Sequence, residues 1–328
     1  MSVSDEAKPA ARAVWHGQGV QQCMSAQFPL LIGFVLLPYS IQARAGNVNP
    51  RGAYRGKAFD SARPARYNRA MQEDGGIYKG FLSGNALKLF ACVCMLIDHT
   101  GAILFPETAA LRAVGRLAMP LFAFTFAEGC FYTRRRLTHF MLVLGIGLVT
   151  SAGFSLAEGT LRGDIMISFT MASLVIWALD SLKRGVFRRD ARRAALSAAG
   201  LLAALALATW VCCFSSVRVD YGLAGVLLPV TVRLLDFRSY GGKGLAAELH
   251  QPALTALLFT VCLIAIALPR GDMQFLSLLA LPLIVLYNGR CGKCRLKYFF
   301  YAFYPLHLAL LAGIFLALNP AYLSALFA

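Results

Sequence analysis

Apolar residues run in long blocks along most of this chain, and polar residues gather between them. From Ala86 onward the blocks lie at Ala86–Phe105, Leu111–Phe131, Leu137–Ala157, Ile165–Leu182, Ala194–Phe214, Val217–Leu235, Pro252–Leu268, Met273–Tyr287 and Tyr298–Leu318. Most approach the ~20 residues a helix needs to cross a bilayer. The Met273–Tyr287 block is short and is interrupted by Pro282. Lipid tolerates only backbones whose hydrogen bonds close internally, so spans are helices or barrel strands. Blocks of this length, without two-residue alternation, select helices. The pattern predicts an all-α, polytopic membrane helix bundle of about nine transmembrane helices.

Residues 1–80 read differently. Arg44–Lys79 is basic, rich in Gly, Asn and Pro, and weakly apolar, the pattern of a disordered segment. Phe28–Ile41 is apolar but short for a span, and Ala43-Arg44-Ala45 after it faintly resembles a signal-peptide cleavage site. The expected organisation is a basic, dispensable extension over 1–80 and a transmembrane domain over 81–328.

Composition agrees with the pattern. Of 328 residues, 58% are hydrophobic and 15% charged, against about 25% charged in soluble domains. The net charge of +16 would suit nucleic acid if it formed one patch, but it lies in short clusters between spans. Connections after the second, fourth, sixth and eighth blocks carry Arg134–Arg136; Lys183, Arg184, Arg188, Arg189, Arg192 and Arg193; Arg238 and Lys243; and Arg290, Lys293, Arg295 and Lys297. The alternate connections hold Arg162 and Arg270, with Arg112 and Arg218 at block edges. Such alternation puts residue 80 inside and the C-terminus outside. No nucleic-acid partner is expected. The nine Cys show no disulfide-framework spacing, and Cys291-Gly-Lys-Cys294 lacks the second pair of a zinc site. No metal is expected.

Charged groups inside spans are costly, ~2.5–3.5 kcal/mol on insertion scales, and mark functional candidates. Asp98, His99, Arg116 and Asp220 lie in the outer half of their blocks, His307 falls near the middle of the last block just below them, and Glu128 lies near the inner end of the second. A buried Asp98 needs a cation, and Arg116 on the next helix is at comparable depth. Asp220 and Glu128 also read as interfacial residues, Arg112 as a snorkelling side chain, and His139 as interfacial. His307 shares a helix face with Tyr304 and also reads as a structural histidine. Tyr298–Tyr301 fits an interfacial aromatic belt. Pro120 and Pro305 predict kinks that free backbone carbonyls. No phosphate-binding glycine loop and no nucleophile elbow occurs.

Four segments carry a further likeness. Leu87-Lys88-Leu89 leading to Met95-Leu96-Ile97-Asp98-His99-Thr100-Gly101, then Val114–Phe124 with Ala127-Glu128-Gly129, then Asp220-Tyr221-Gly222-Leu223-Ala224-Gly225-Val226, and finally Tyr298–Leu308, resemble the ordered motifs of the TraX family. Met119 stands where the family usually has Phe, and Ala224 where an aromatic is frequent. The resemblance spans residues 86–310 and leaves out 1–80. It implies a bacterial inner-membrane enzyme that acetylates a pilin N-terminus with acetyl-CoA as co-substrate, and it is distantly similar to the wider transmembrane acyltransferases.

Acetyl transfer to an amine needs a base for the amine proton and a donor for the developing oxyanion. His99 is the expected base, with Asp98 holding Arg116 or the acceptor amine. His307, Tyr304 or Arg116 would polarise the thioester carbonyl, and Asp220 and Glu128 join the substrate-binding candidates. Arg134–Arg136 would receive CoA phosphates, although topology alone accounts for them. A proton-coupled transporter would use the same intramembrane groups, and a non-enzymatic pilus-assembly protein is the third reading. The expected partners are an acceptor such as pilin, acetyl-CoA and membrane lipid.

Overall fold

The computed structural model describes residues 80–237, 251–292 and 296–320. The extension before Gly80, with Phe28–Ile41, lies outside the described residues, as do Arg238, Lys243, Lys293, Cys294 and Arg295.

The chain is a helix bundle. In order come α1 (Gly84–Ile103), α2 (Ala109–Gly115), α3 (Ala118–Tyr132), α4 (Arg136–Glu158), β1 (Arg162–Gly163), α5 (Ile165–Phe187) and α6 (Ala191–Thr209). After a π-helical turn at Trp210–Phe214 follow β2 (Arg218–Val219), α7 (Gly222–Leu234), α8 (Pro252–Ala267), α9 (Asp272–Phe275), α10 (Leu281–Val285) and α11 (Lys297–Leu318). Local chemistry starts several helices. The Ser83 hydroxyl accepts from Ala86 N, the Asp164 carboxylate from Met166 and Ile167 N, and Asp190 from Arg193 N, each satisfying a backbone donor that a first turn leaves open.

Among the described residues, seven helices are long and apolar enough to cross a membrane: Gly84–Ile103, Ala109–Tyr132, Arg136–Leu156, Ile165–Phe187, Ala191–Phe214, Pro252–Arg270 and Lys297–Leu318. They match seven of the nine expected spans. The other two are shorter apolar helices, Gly222–Leu234 and Asp272–Val285. In the first, Val217–Tyr221 is not helical, because Arg218 and Val219 pair in parallel with Arg162 and Gly163. The second alternates α and 3-10 turns around Pro282. A helix of 13 residues rises only about 20 Å, short of the ~30 Å hydrocarbon core.

That short helix is nonetheless the centre of the molecule. Every residue from Leu223 to Leu234 is buried, with α3, α5 and α8 packed around it. The outside of the bundle is apolar instead: Leu137, Val149, Leu156, Leu196, Leu306 and Leu310 are all exposed. An aliphatic exterior around a core containing Ser168, Thr170, Ser173 and Thr231 is the arrangement a lipid solvent favours. The chain is a multi-pass membrane protein.

Two polar devices tie the bundle. At its start, Leu82 N donates to Leu286 O (2.8 Å), Asn288 N to Leu82 O (2.9 Å) and Gly84 N to Arg290 O (2.8 Å). The strand-like lead into α1 is thereby paired with the connection after α10. Deep between α5 and α7, Arg233 bonds both Asp180 (3.1 Å) and Asp236, and Lys183 Nζ donates to the carbonyls of Arg233 (2.6 Å) and Asp236 (3.0 Å). Two cations and two carboxylates balance, and Phe131 and Phe237 cover them through their ring faces.

Removing one member strands the others in a low-dielectric core. Arg233→Ala is expected to lower stability by about 3–5 kcal/mol, read as a lowered thermal midpoint in detergent. An unchanged midpoint would show that the network contributes nothing net.

Candidate functional site

The candidate site forms where α1, the α2–α3 junction and α11 meet. Helix α1 carries Asp98 and His99 one turn from its end, and α11 brings His307 alongside. His99 Nδ1 and His307 Nε2 are 2.8 Å apart, and the two rings lie 5.0 Å centre to centre. The opposite nitrogen of His307, Nδ1, is 2.8 Å from the carbonyl oxygen of Phe303. A carbonyl only accepts, so His307 Nδ1 carries a proton. With both rings neutral, His307 Nε2 then accepts and His99 Nδ1 donates, which leaves the lone pair on His99 Nε2. Phe303 also stacks on the His307 ring at 4.9 Å and 9°, fixing its plane. Pro305 sits inside α11 and cannot donate to the helix ladder.

Asp98 takes its cation mainly from Arg112. The Arg112 guanidinium is 2.7 Å from Asp98 Oδ2, and it also donates to the Asp98 carbonyl (3.2 Å); Arg116 is 3.8 Å from Oδ1. The expected Asp98–Arg116 pair is therefore the longer of two, and Arg112 does not snorkel. The reason is spacing: residues 112 and 116 are four apart at the end of α2 and share the face toward α1. Gly115 between them makes this approach possible, since a Cβ there would collide with the Asp98 side chain. The second span breaks here, with α2 ending at Gly115 and α3 beginning at Ala118. Pro120 supplies the cause: it has no N–H for the carbonyl four residues back, that of Arg116.

Arg116 reaches further. Its Nη1 donates to Gln274 Oε1 at 3.2 Å, and Gln274 is a buried residue of α9 that the sequence did not mark. Asp98 does not orient His99; His307 does. Arg112, Arg116 and Arg162 all act on His99 electrostatically.

A second group adjoins the first. Asp220 pairs with Arg162 at 3.2 Å, across the β1–β2 bridge. Tyr221 holds a left-handed backbone (φ 61), unusual for a bulky residue. Gly225 leaves room for its Cβ, and Arg270 lies 5.3 Å from its ring centre. This gives the Asp220-Tyr221-Gly222 to Gly225 spacing a physical basis. Asp164, fully buried, accepts from Thr150 and from two backbone N–H groups of α5, and it interacts with the Tyr304 hydroxyl. Tyr304, also buried, thus has its hydroxyl tied to Asp164 and its ring against His307. Burial pushes the Asp164 carboxyl up to about 6.

Glu128 is not brought to this place. It is buried in α3, ten residues beyond Ala118 and so about 15 Å away along that helix. At that end His139 is not an interfacial side chain either. It is buried, 2.7 Å from the Tyr301 hydroxyl and stacked on Phe126 at 5.5 Å. The cause is that α4 and α11 pack together there.

The family comparison decides what this arrangement belongs to. A family model described as TraX protein matches residues 83–315, a range that takes in every side chain just described. The chain belongs to the TraX family. Among curated relatives, this TraX chain is 26% identical over 242 residues to a probable fimbrial assembly protein FimC, serogroup H1, of Dichelobacter nodosus; the match covers 69% of this chain and 93% of that protein. A shorter match, 48% identical over 48 residues, is to the uncharacterized protein RP591 of Rickettsia prowazekii, covering 15% of this chain and 19% of that one. No solved structure matches the chain.

Of the site residues expected for a TraX protein, Asp98, His99, Arg116 and His307 converge, and Tyr304 stands beside them. Asp164 and Gln274 were missed because each reads as an ordinary loop or interfacial residue; only the helix-capping position of Asp164 gave a signal.

Two outcomes test this geometry. Gly115→Ala forces the first two spans apart at Asp98, with an expected loss of about 1–3 kcal/mol in detergent melts. For Asp164, the folded carboxyl binds its proton more tightly than the unfolded one, at about 6 against an ordinary 3.8. Its contribution is therefore complete at low pH and disappears as pH rises through about 6. Melts of wild type minus Asp164→Asn should fall across that window and be flat above it; a rising difference would refute the assignment.

Proposed function

We propose that this TraX-family protein is an integral membrane acetyltransferase that moves an acetyl group from acetyl-CoA to an acceptor amine, with a pilin N-terminus as the acceptor. The observation that carries this reading is the His99–His307–Phe303 hydrogen-bond chain, which leaves the lone pair on His99 Nε2, in a residue that Arg112, Arg162 and Arg116 act on electrostatically. A base facing an amine needs that lone pair. As the amine nitrogen attacks the thioester carbon, His99 Nε2 takes the amine proton, and the new imidazolium is stabilised by donating through Nδ1 to His307. Asp98 offers a carboxylate oxygen to the incoming amine, and Arg116 a positive charge to the developing oxyanion.

Two findings favour a pilin as the acceptor. The family match and the name of the Dichelobacter nodosus relative, a fimbrial assembly protein, both concern pili. The basic connections support a bacterial inner-membrane location with residue 80 inside and the C-terminus outside. Acetyl-CoA would then enter from the side carrying Arg134–Arg136, and the histidine pair, near the far end of α1, would meet an acceptor from the other face. A proton-coupled transporter is the second reading, favoured by the same histidine pair, since two hydrogen-bonded imidazoles on different helices can pass a proton.

Purified protein with labelled acetyl-CoA and a pilin N-terminal peptide separates the readings. His99→Ala is expected to keep its melting behaviour and lose transfer by about 10²–10⁴-fold, with His307→Ala less severe. Full transfer by His99→Ala would remove histidine from the mechanism. Uptake into vesicles without acetylation of any acceptor would favour the transporter.

A further inference from the structure

Gln274 faces Arg116 from α9. Arg116 has donors only, so the Gln274 atom facing it must be the oxygen Oε1, 3.2 Å from Arg116 Nη1. The amide orientation is thereby fixed, and the NH2 group points elsewhere. That nitrogen, Nε2, is buried and has no hydrogen-bond partner, in a residue only 3% exposed. A buried amide N–H without a partner costs about 1–3 kcal/mol, so such a group calls for an occupant. Asp98 Oδ1, on the other arm of the same guanidinium, is likewise buried without a hydrogen-bond partner. Ser277 Oγ, one helical turn after Gln274, is a third. Arg116 thus lies between an acceptor on α1 that it meets only as a 3.8 Å ion pair and a donor on α9 that has no hydrogen-bond partner.

We propose that Gln274 Nε2 donates a hydrogen bond to the acyl carbonyl oxygen, making Gln274 a catalytic residue and the oxyanion donor alongside Arg116. This rests on the acetyltransferase reading and specifies which chain atoms hold the reacting oxygen. The amine lone pair forms the C–N bond, and the carbonyl π pair moves onto the oxygen between Gln274 Nε2 and Arg116. His99 Nε2 receives the amine proton. Collapse re-forms the carbonyl and breaks the C–S bond, and the departing thiolate takes the proton from His99. The products are an acetamide and free CoA thiol. An acceptor for the amine at Asp98 and a donor for the oxygen at Gln274 match the two polarities of that adduct.

Two variants separate donation from mere support of Arg116. Gln274→Glu keeps an oxygen for Arg116 and removes the NH2 donor; Gln274→Met removes both. If Gln274 donates to the oxyanion, both lower kcat by about 10²–10³-fold, with the KM for acetyl-CoA changed no more than about threefold. If it only positions Arg116, Gln274→Glu retains near-wild-type kcat, and the proposal is overturned. Infrared spectra of bound acetyl-CoA carrying ¹³C at the carbonyl give a readout independent of turnover. The carbonyl band should be lowered by the wild type relative to free acetyl-CoA and return toward the free value with both variants. Wild-type protein that transfers acetyl yet gives the same band as Gln274→Met overturns the Gln274 role and leaves the acetyltransferase standing. Wild-type protein that neither transfers acetyl nor shifts the band overturns both.

Discussion

Charge inside a membrane protein has to be answered by charge from the protein itself, and here Asp98 sets that requirement. Its carboxylate lies on α1 at the closest approach to the next span, where Gly115 removes the Cβ that would keep the helices apart. Arg112 and Arg116 answer it from one face of α2. Because Arg116 is drawn to Asp98 on one side, its other arm is directed to Gln274 on α9. One ion pair thus connects the first span, the second and the broken segment before α10. The histidine beside Asp98 is then presented to α11.

The molecule separates its buried polarity into two regions with different characters. The Asp180–Arg233–Asp236–Lys183 network balances its charges: cations and carboxylates match and aromatic faces cover them, although Arg233 Nε keeps no hydrogen-bond partner. Its members face one another across α5 and α7, an arrangement suited to holding a core helix in place. The Asp98–Arg116–Gln274 region is open by comparison. Its acceptor Asp98 Oδ1 and its donor Gln274 Nε2 have no hydrogen bond, and its charged side chains keep part of their surface exposed. Polar groups left unpaired at that cost fit recognition of something other than the protein itself.

Much of this was legible in the sequence, because block length and the rarity of charge in apolar runs are strong signals. Asp98, His99, Arg116 and His307 stood out as costly residues, and the structure brings them together. What stayed hidden depends on partners far apart in sequence. Arg112 at a block edge looks like a snorkelling side chain until its fourth-residue relation to Arg116 is placed against α1. Gln274 carries no charge, so an apolar-run argument gives it no weight. The sixth and eighth blocks read as spans because hydropathy measures burial away from water, and a helix buried in protein scores like one buried in lipid. The β1–β2 pairing of Arg162 with Arg218 joins segments 56 residues apart, beyond the reach of local pattern.

The histidine contact joins the earliest of the described helices to the last. A chain emerging from the ribosome and entering the bilayer in order holds His99 long before His307 exists. The imidazole pair is assembled only when α11 has been threaded in, after every other span is in position. A chain that stops before α11 therefore lacks the His99–His307 contact altogether.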